Sequence, residues 1–307
     1  MWSQIIEKTR GPKKSHGLIG LIAVLFCIFP LSLSLISCAS KPVQTLPEEE
    51  DNILAEEESP PILAVENSWY LDNQTHQEPM EVPNITAASA NTLFVAFIAS
   101  DSGQGPQRGG PPLDGKIQSV EGGGLEWTRR AEAHLSVTGE PSIAEIWTAF
   151  SPTPMQPFTV TVRRNNDNGA LTYCDNWQGG SGPDIANGMV FVQAITGADP
   201  GNPIGATAIA GAGKRSGRNT AASVTLTTTR AGSLVEAVGA DWTQPKPRTI
   251  PADQVLLHED VSTPNGDDYW VQALAGPVPT PGSVSLYITD PSDSDCNMAA
   301  IEILQAR

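Results

Sequence analysis

Histidine, cysteine and aromatic side chains are scarce in this chain: four His, four Cys and 6% Phe, Trp and Tyr in 307 residues. The histidines beyond the N-terminal segment are His76, His134 and His258, and none has a second His at helical spacing. That excludes the paired-His zinc motif. No G-x-S-x-G occurs, and GGSGPD (179–184) lacks its frame, so there is no nucleophile elbow. GAGKRSG (211–217) has Arg215 in the Ser/Thr slot of a phosphate loop and lacks the first Gly. It reads as a turn. Positive charge is also short, 18 Lys and Arg against 34 Asp and Glu, a net of −16. An acidic surface argues against nucleic acid and against anionic lipid surfaces as partners.

What is present begins with a basic N-terminus. Lys8, Arg10, Lys13 and Lys14 precede an uncharged run from Gly17 to Ser37. This is the layout of an export signal. A membrane-spanning helix is the competing reading, since the run could cross ~30 Å of hydrocarbon. Pro30 inside it opposes a continuous helix. The run ends at Leu35-Ile36-Ser37-Cys38, which resembles the lipobox of bacterial lipoproteins. The resemblance implies that residues 1–37 are a signal peptide, that Cys38 carries the lipid, and that the protein is exported and held on a membrane. Ala39, in place of Asp, implies the outer membrane in a cell that has one. Residues 38–62 follow as a tether. KPVQTLPEEEDNILAEEESPP holds runs of acid and several prolines, with too little apolar surface to fold alone.

Residues 63–307 read as one all-β domain. Alternating or β-branched runs recur (NTLFVAFIAS, EIWTAF, FTVTV, MVFVQAI, SLVEAV, YWVQALA, SVSLYI, MAAIEIL), with Gly, Pro, Asn and Asp between them. Three blocks repeat in order: 85–101 over 225–241, 144–162 over 267–288, and 187–195 over 296–304. The first overlay puts Asp101 on Asp241, and the second puts Trp147 on Trp270. The expectation is a β-sandwich, jelly-roll or immunoglobulin-like, built from two repeated halves at about 85–199 and 222–307, each half supplying one apolar face. NTLFVAF, EIWTAF, TTRAGSLVEAVGADW and DYWVQ resemble a β-sandwich module of bacterial exported and surface proteins, often found beside carbohydrate-active modules. The resemblance covers about 85–307.

The first half has two segments the second lacks, the Gly/Pro loop at 102–116 and an insertion at 165–186. Cys174 lies in the insertion and Cys296 heads the last strand. In an exported domain the two are expected to form a disulfide. Carboxylates are the remaining chemical candidates. Glu236 and Glu302 lie mid-strand, where a solvated sheet face is the ordinary place for them and paired-carboxylate glycoside hydrolysis the functional alternative. Asp290, Asp293 and Asp295, with Asp267 and Asp268, could hold Ca²⁺, although turn formation also explains them. Trp147 and Trp270 read as core. Trp242 beside Asp241 at a strand end, Asp101 in the matching place, and Trp177 in the insertion form a candidate sugar-stacking site. The expected function is non-catalytic binding of an extracellular ligand, a glycan, with no cofactor other than Ca²⁺. The alternatives are a structural or adhesive protein that binds an envelope protein, and a glycan-cleaving enzyme.

Overall fold

The computed structural model describes residues 61–73, 77–100, 117–134, 142–164, 187–212, 221–241, 243–263 and 266–307, all within one unit, 57–307. Cys38, Asp101, Cys174, Trp177 and Trp242 lie outside the described residues. The described chain is all-β, with no helix. Alternation forms strands where one face is wet: SVTLT at 223–227 buries every second residue.

The first half runs β1 (Ala64–Asp72), β2 (Met80–Ala87), β3 (Thr92–Ser100), β4 (Ile117–Glu121), β5 (Thr128–Ala133), β6 (Ile143–Ser151), β7 (Met155–Arg164) and β8 (Gly188–Thr196). The second runs β9 (Ile204–Ala212), β10 (Ser223–Thr227), β11 (Leu234–Asp241), β12 (Gln254–Ser262), β13 (Asp267–Leu274), β14 (Ser283–Tyr287) and β15 (Cys296–Ile303). Each half is itself a sandwich. In the first, a five-stranded sheet β1-β8-β3-β6-β5 lies under a three-stranded sheet β2-β7-β4. In the second, β9-β15-β11-β13-β12 lies under β10-β14. The strand orders are the same once β4 is left without a counterpart. The pairings β1/β8, β2/β7 and β3/β6 are those of a jelly roll, and β9/β15, β10/β14 and β11/β13 repeat them.

The two five-stranded sheets pack face to face. Val95, Phe97, Ile146 and Phe191 meet Val238, Tyr269, Val271 and Ile301 in one continuous cluster. The order of layers is therefore three strands, five, five and two. The middle strands of both central sheets are covered on both faces, which is why β3 and β15 are buried at every position. Across this seam β3 lies on β11, β8 on β13, and β6 on β15. Equivalent strands exchange places, as in an isologous dimer whose two-fold axis runs along the strands. The sequence reading expected one sandwich with one face from each half. The repeat is real, but its unit is a whole sandwich. Each unit also starts earlier than expected, because β1 is a largely exposed edge and β9 is built of small residues.

The register of the repeat also needs correction. Trp147 pairs with Ala96 and Trp270 with Gly239, so Ala96 and Gly239 are equivalent. Asp241 then corresponds to Ile98, three places from Asp101. The sequence overlay would have set Glu236 on Ala96, yet these point to opposite faces of their sheets: Ala96 joins the outer core, and Glu236 faces the seam with Val238. A strand that is apolar on both sides carries no alternation to fix its register.

Candidate functional site

All strand ends that flank 74–76, 101–116, 135–141, 165–186, 213–220 and 264–265 lie at one pole of the stack. Ser100 pairs with Ile143 and Gly188, Asp241 with Asp268 and Cys296, and Cys296 with Ala212. Cross-seam hydrogen bonds bring the two halves together there. Asn187 Nδ2 donates to Asp267 Oδ2 at 2.7 Å, and Asn297 Nδ2 to the Ser142 carbonyl at 2.7 Å. Arg164, buried, holds the base of the first half's loops. Its guanidinium donates to Glu78 at 2.8 Å, Ser100 Oγ at 3.1 Å and the Asn187 carbonyl at 3.0 Å. The opposite pole carries short turns and both ends of the described chain: Ala64 pairs with Thr196, and Ala306 N donates to the Gly197 carbonyl.

Just beneath the loop pole, each half holds an Arg–carboxylate–Trp group on the outer face of its five-stranded sheet. In β6, Glu145 and Trp147 are two apart and so share a face. Trp147 Nε1 donates to Glu145 Oε2 at 2.7 Å, and Arg129 from β5 lies 5.8 Å over the indole and 3.7 Å from Glu145. In β13 the matching residues are Asp268 and Trp270. Arg248 lies 4.8 Å over that indole, is ion-paired with Asp268, and is 3.0 Å from Asp241. Arg248 comes from the 243–253 loop, however. The register counterpart of Arg129 is Glu259, which accepts the Arg248 amide. Gly239 opposite Trp270 leaves room for the ring, since a Cβ there would sit 2.1 Å from it.

The electrostatics follow burial. Burial pushes Glu145 up to about 7 against the pull of Trp147 and Arg129. Asp268 is pushed up to about 8 by burial, opposed by Arg248. Asp241 is raised for the same reasons. One guanidinium faces two sealed carboxylates, so the cluster favours keeping a proton on one of them. Asp241 is wholly buried. Its carboxylate belongs to this cluster and does not present an acceptor to solvent, which corrects its assignment to the sugar-stacking site.

The two catalytic candidates are also accounted for. Neither sits on a solvated sheet face. Glu236 points into the seam, where the Gln193 amide lies 2.8 Å from Oε2. Burial pushes it up to about 8. A neutral carboxyl can donate to the amide oxygen and an ionised one can accept from the nitrogen, so Gln193 suits either form. Glu302 is buried at the opposite pole. It accepts from the amides of Ala206, Thr229 and Arg230 and from the hydroxyls of Thr229 and Ser233, all at 2.8–3.0 Å. Burial works to raise it, and these donors outweigh burial and hold it below the usual range. It clamps the start of β9 to the 228–233 turn. Gly205 is required beside it, because a Cβ there would meet the carboxylate at 2.2 Å. The two groups stand on opposite faces of their sheet and form no catalytic pair.

The proposed Ca²⁺ ligands are dispersed among other partners. Asp290 pairs with Lys246 at 2.5 Å, Asp293 accepts from Gln244 at 2.9 Å, Asp267 accepts from Asn187, and Asp268 binds Arg248. Asp295 is buried. Among the described residues no group of three or more His, Cys, Asp or Glu is placed to hold a metal ion. Cys296 is a free, buried thiol whose ionisation is opposed by burial and by the neighbouring Asp241. Its expected partner, Cys174, lies outside the described residues. His258 joins the halves at the edge of the seam, 2.7 Å from Asp72 and stacked between Tyr70 and Phe191. The E-x-W and D-x-W spacings were visible signals for the two Trp groups. Arg248, far in sequence from its partner Trp270, had none. Comparison with protein-family models, with curated proteins and with solved structures finds no match.

Proposed function

We propose that this is an exported, lipid-anchored binding protein without catalytic activity, whose ligand, a glycan, is met at the loop pole. The observation that carries this reading is the separation of the poles. The chain enters the sandwich pair at 61–64 on the side away from the loop-bearing strand ends. The strand ends that carry the long connections lie at the other pole, clear of the entering chain. The middle strands β3, β8, β11 and β15 are buried on both faces, so they offer no ligand platform. Long connections on a rigid scaffold are where binding residues collect. The burial of Glu236 and Glu302 in structural roles also favours binding over cleavage. Ca²⁺ remains a cofactor to be tested beside the glycan.

The experiment is a glycan array on the purified chain, with and without Ca²⁺, followed by Trp242→Ala and Trp177→Ala. Loss of a stacking ring should weaken binding about ten-fold. Absence of any glycan signal, with capture of a defined envelope protein instead, would replace this reading with the adhesive one. Fractionation of Cys38→Ala tests the anchor separately: a mass and membrane distribution like the parent's would overturn it.

A further inference from the structure

We infer that the edge of the seam between β1 and β12 carries a sugar-binding platform for neutral hexose chains, with Tyr70 as its stacking face and Asp72 as its hydroxyl acceptor. The inference rests on the glycan reading above and gives that reading residues on the described strands, at the loop-pole end of β1. The platform is built from both halves. Tyr70 and Asp72 are two apart in β1 and so share a face, beside Phe191 and Met189 of β8 on the seam. His258 comes from β12, where a register shift between Leu256 and His258 re-aims the chain. Its imidazole stacks on Tyr70 with 4.2 Å between ring centroids and on Phe191 with 5.7 Å. Its Nε2 lies 2.7 Å from Asp72 Oδ1. One face of the Tyr70 ring is therefore covered, yet the residue is 59% exposed, so the other face is open to solvent. The Asp72 side chain is 32% exposed, and among the described residues its Oδ2 has no hydrogen-bond partner.

The fold does not require this stack. The internal two-fold relates the β1/β12 edge of the seam to the β9/β5 edge. With Ala96 equivalent to Gly239 and Trp147 to Trp270, the strand registers set Tyr70 on Gly211 and His258 on Thr128. The second edge thus closes without a ring at either place, with β5 lying against β9. At the first edge β1 and β12 stand further apart, and the rings span the gap. Filling the gap accounts for His258 and Phe191, which are largely buried. It does not account for an outermost ring that leaves more than half its surface in water.

An aromatic ring held from behind is already ordered, so little freedom is lost when a ligand lies on it. The open face of Tyr70 suits the axial C–H groups of a pyranose. The carboxylate lies two residues further on, ~7 Å along the strand, where it can accept from the hydroxyls of the same or the next sugar. Hydroxyl donors on a C–H face define the ligand class. Charge narrows it: with Asp72 in the site and a net of −16 on the chain, uronic and sialic acids are repelled. Hexoses with all-equatorial substituents offer the flattest C–H face, so the site favours neutral β-linked chains of that kind.

Cellotetraose and tetra-N-acetylchitotetraose are the neutral probes, titrated by calorimetry against the full chain, with tetragalacturonate as the acidic comparison. Saturable binding of a neutral probe is expected, with a shift of the His258 imidazole NMR signals, because that ring backs the platform. Tyr70→Ala should weaken binding about ten-fold or more, as expected for loss of a stacking ring. Tyr70→Phe should bind like the parent, and both variants should unfold like the parent, since the ring is exposed. Neutral-sugar binding that survives Tyr70→Ala, or that leaves His258 unshifted, overturns the platform while the glycan reading stands at another place. Tighter binding of tetragalacturonate overturns the neutral assignment. Failure of both neutral probes, beside glycan-array signals for other sugars, overturns the platform alone. Failure of the probes and of the array together overturns both.

Discussion

The two sandwiches solve one local problem with different parts. Both place a carboxylate two residues before a tryptophan on the outer face of the strand next to the β5 or β12 edge, Glu145 before Trp147 in β6 and Asp268 before Trp270 in β13. A carboxylate buried there needs a counter-charge, and a guanidinium can serve it while lying flat on the indole. In the first half the arginine comes from the neighbouring strand and remains 40% exposed. In the second it comes from a loop, is sealed, and serves two acids. The constellation is held by the electrostatics of the site, while the position that supplies the arginine has moved. Where the first half has β4 the second has the 243–253 loop, which provides the cover and the charge together.

The comparison predicts its largest effect at Arg248. Arg248→Met leaves Asp241 and Asp268 buried without a cation, and the expected loss is ~3–5 kcal/mol. Urea unfolding of the variant measures it. A loss below ~1 kcal/mol would show that both acids are neutral in the folded state and that Arg248 serves only as packing.

Much of the architecture could be read before the structure: the strands, the all-β class, and the existence of a repeat. The pattern could not show that each repeat closes on itself, because a strand buried on both sides looks the same whichever sheet covers it. β3, β8, β11 and β15 are of this kind. The same loss of alternation misplaced Asp241 opposite Asp101 and put Glu236 on the wrong face. Edge strands failed for the opposite reason, since β1 buries little and gives weak pattern. At the site, Glu145 and Trp147 were readable as a same-face pair, but the arginines depend on contacts between segments distant in sequence. Gln254 and Gln272 gave no signal at all, because a side chain standing in for a strand at the β14 edge is defined only by the edge it meets.

The second effect is at the seam. Glu236 stands where β3 has Leu93, so one seam face is apolar and the other carries a carboxyl. Its folded value, about 8, lies above the ordinary 4.5. Folding therefore takes up a proton, and this stabilising contribution is full below about pH 4.5 and is lost as pH rises through about 8. Glu236→Gln keeps the shape and removes the titration. The variant should exceed the parent by on the order of 4 kcal/mol at pH 8 and by about 1 kcal/mol at pH 5. Equal pH profiles for parent and variant would place the ionised form comfortably in the seam and contradict this account.

A smaller effect is expected at the β14 edge. Gln254→Ala leaves the Ser285 carbonyl, Tyr287 N and Gln272 Nε2 short of partners. Tyr287 is exposed, so water can reach part of this edge, and the expected loss is ~1–2 kcal/mol, the lower range for unpaired buried polar groups. Thermal unfolding reads the loss. A stability equal to the parent's would show that water replaces the amide at the β14 edge.

The smallest effect is at Arg129, and it sharpens the comparison most. Arg129 is two-fifths exposed and also paired with Glu132 at 2.6 Å, so its ion pair with Glu145 is screened. Arg129→Met should cost under ~1 kcal/mol near neutral pH, within the range of exposed ion pairs. The more informative reading is its pH dependence. Glu145 stands at about 7, and Arg129 is one of the groups holding it down against burial. Without the guanidinium, Glu145 should hold its proton to higher pH. Because its folded value is raised, its stabilising contribution is lost as pH rises, and in the variant that loss should move to higher pH. Unfolding free energies measured between pH 5 and pH 9 decide the point. If the parent and Arg129→Met curves run parallel, the guanidinium does not act on Glu145, and the resemblance between the two Trp groups is one of shape and not of charge.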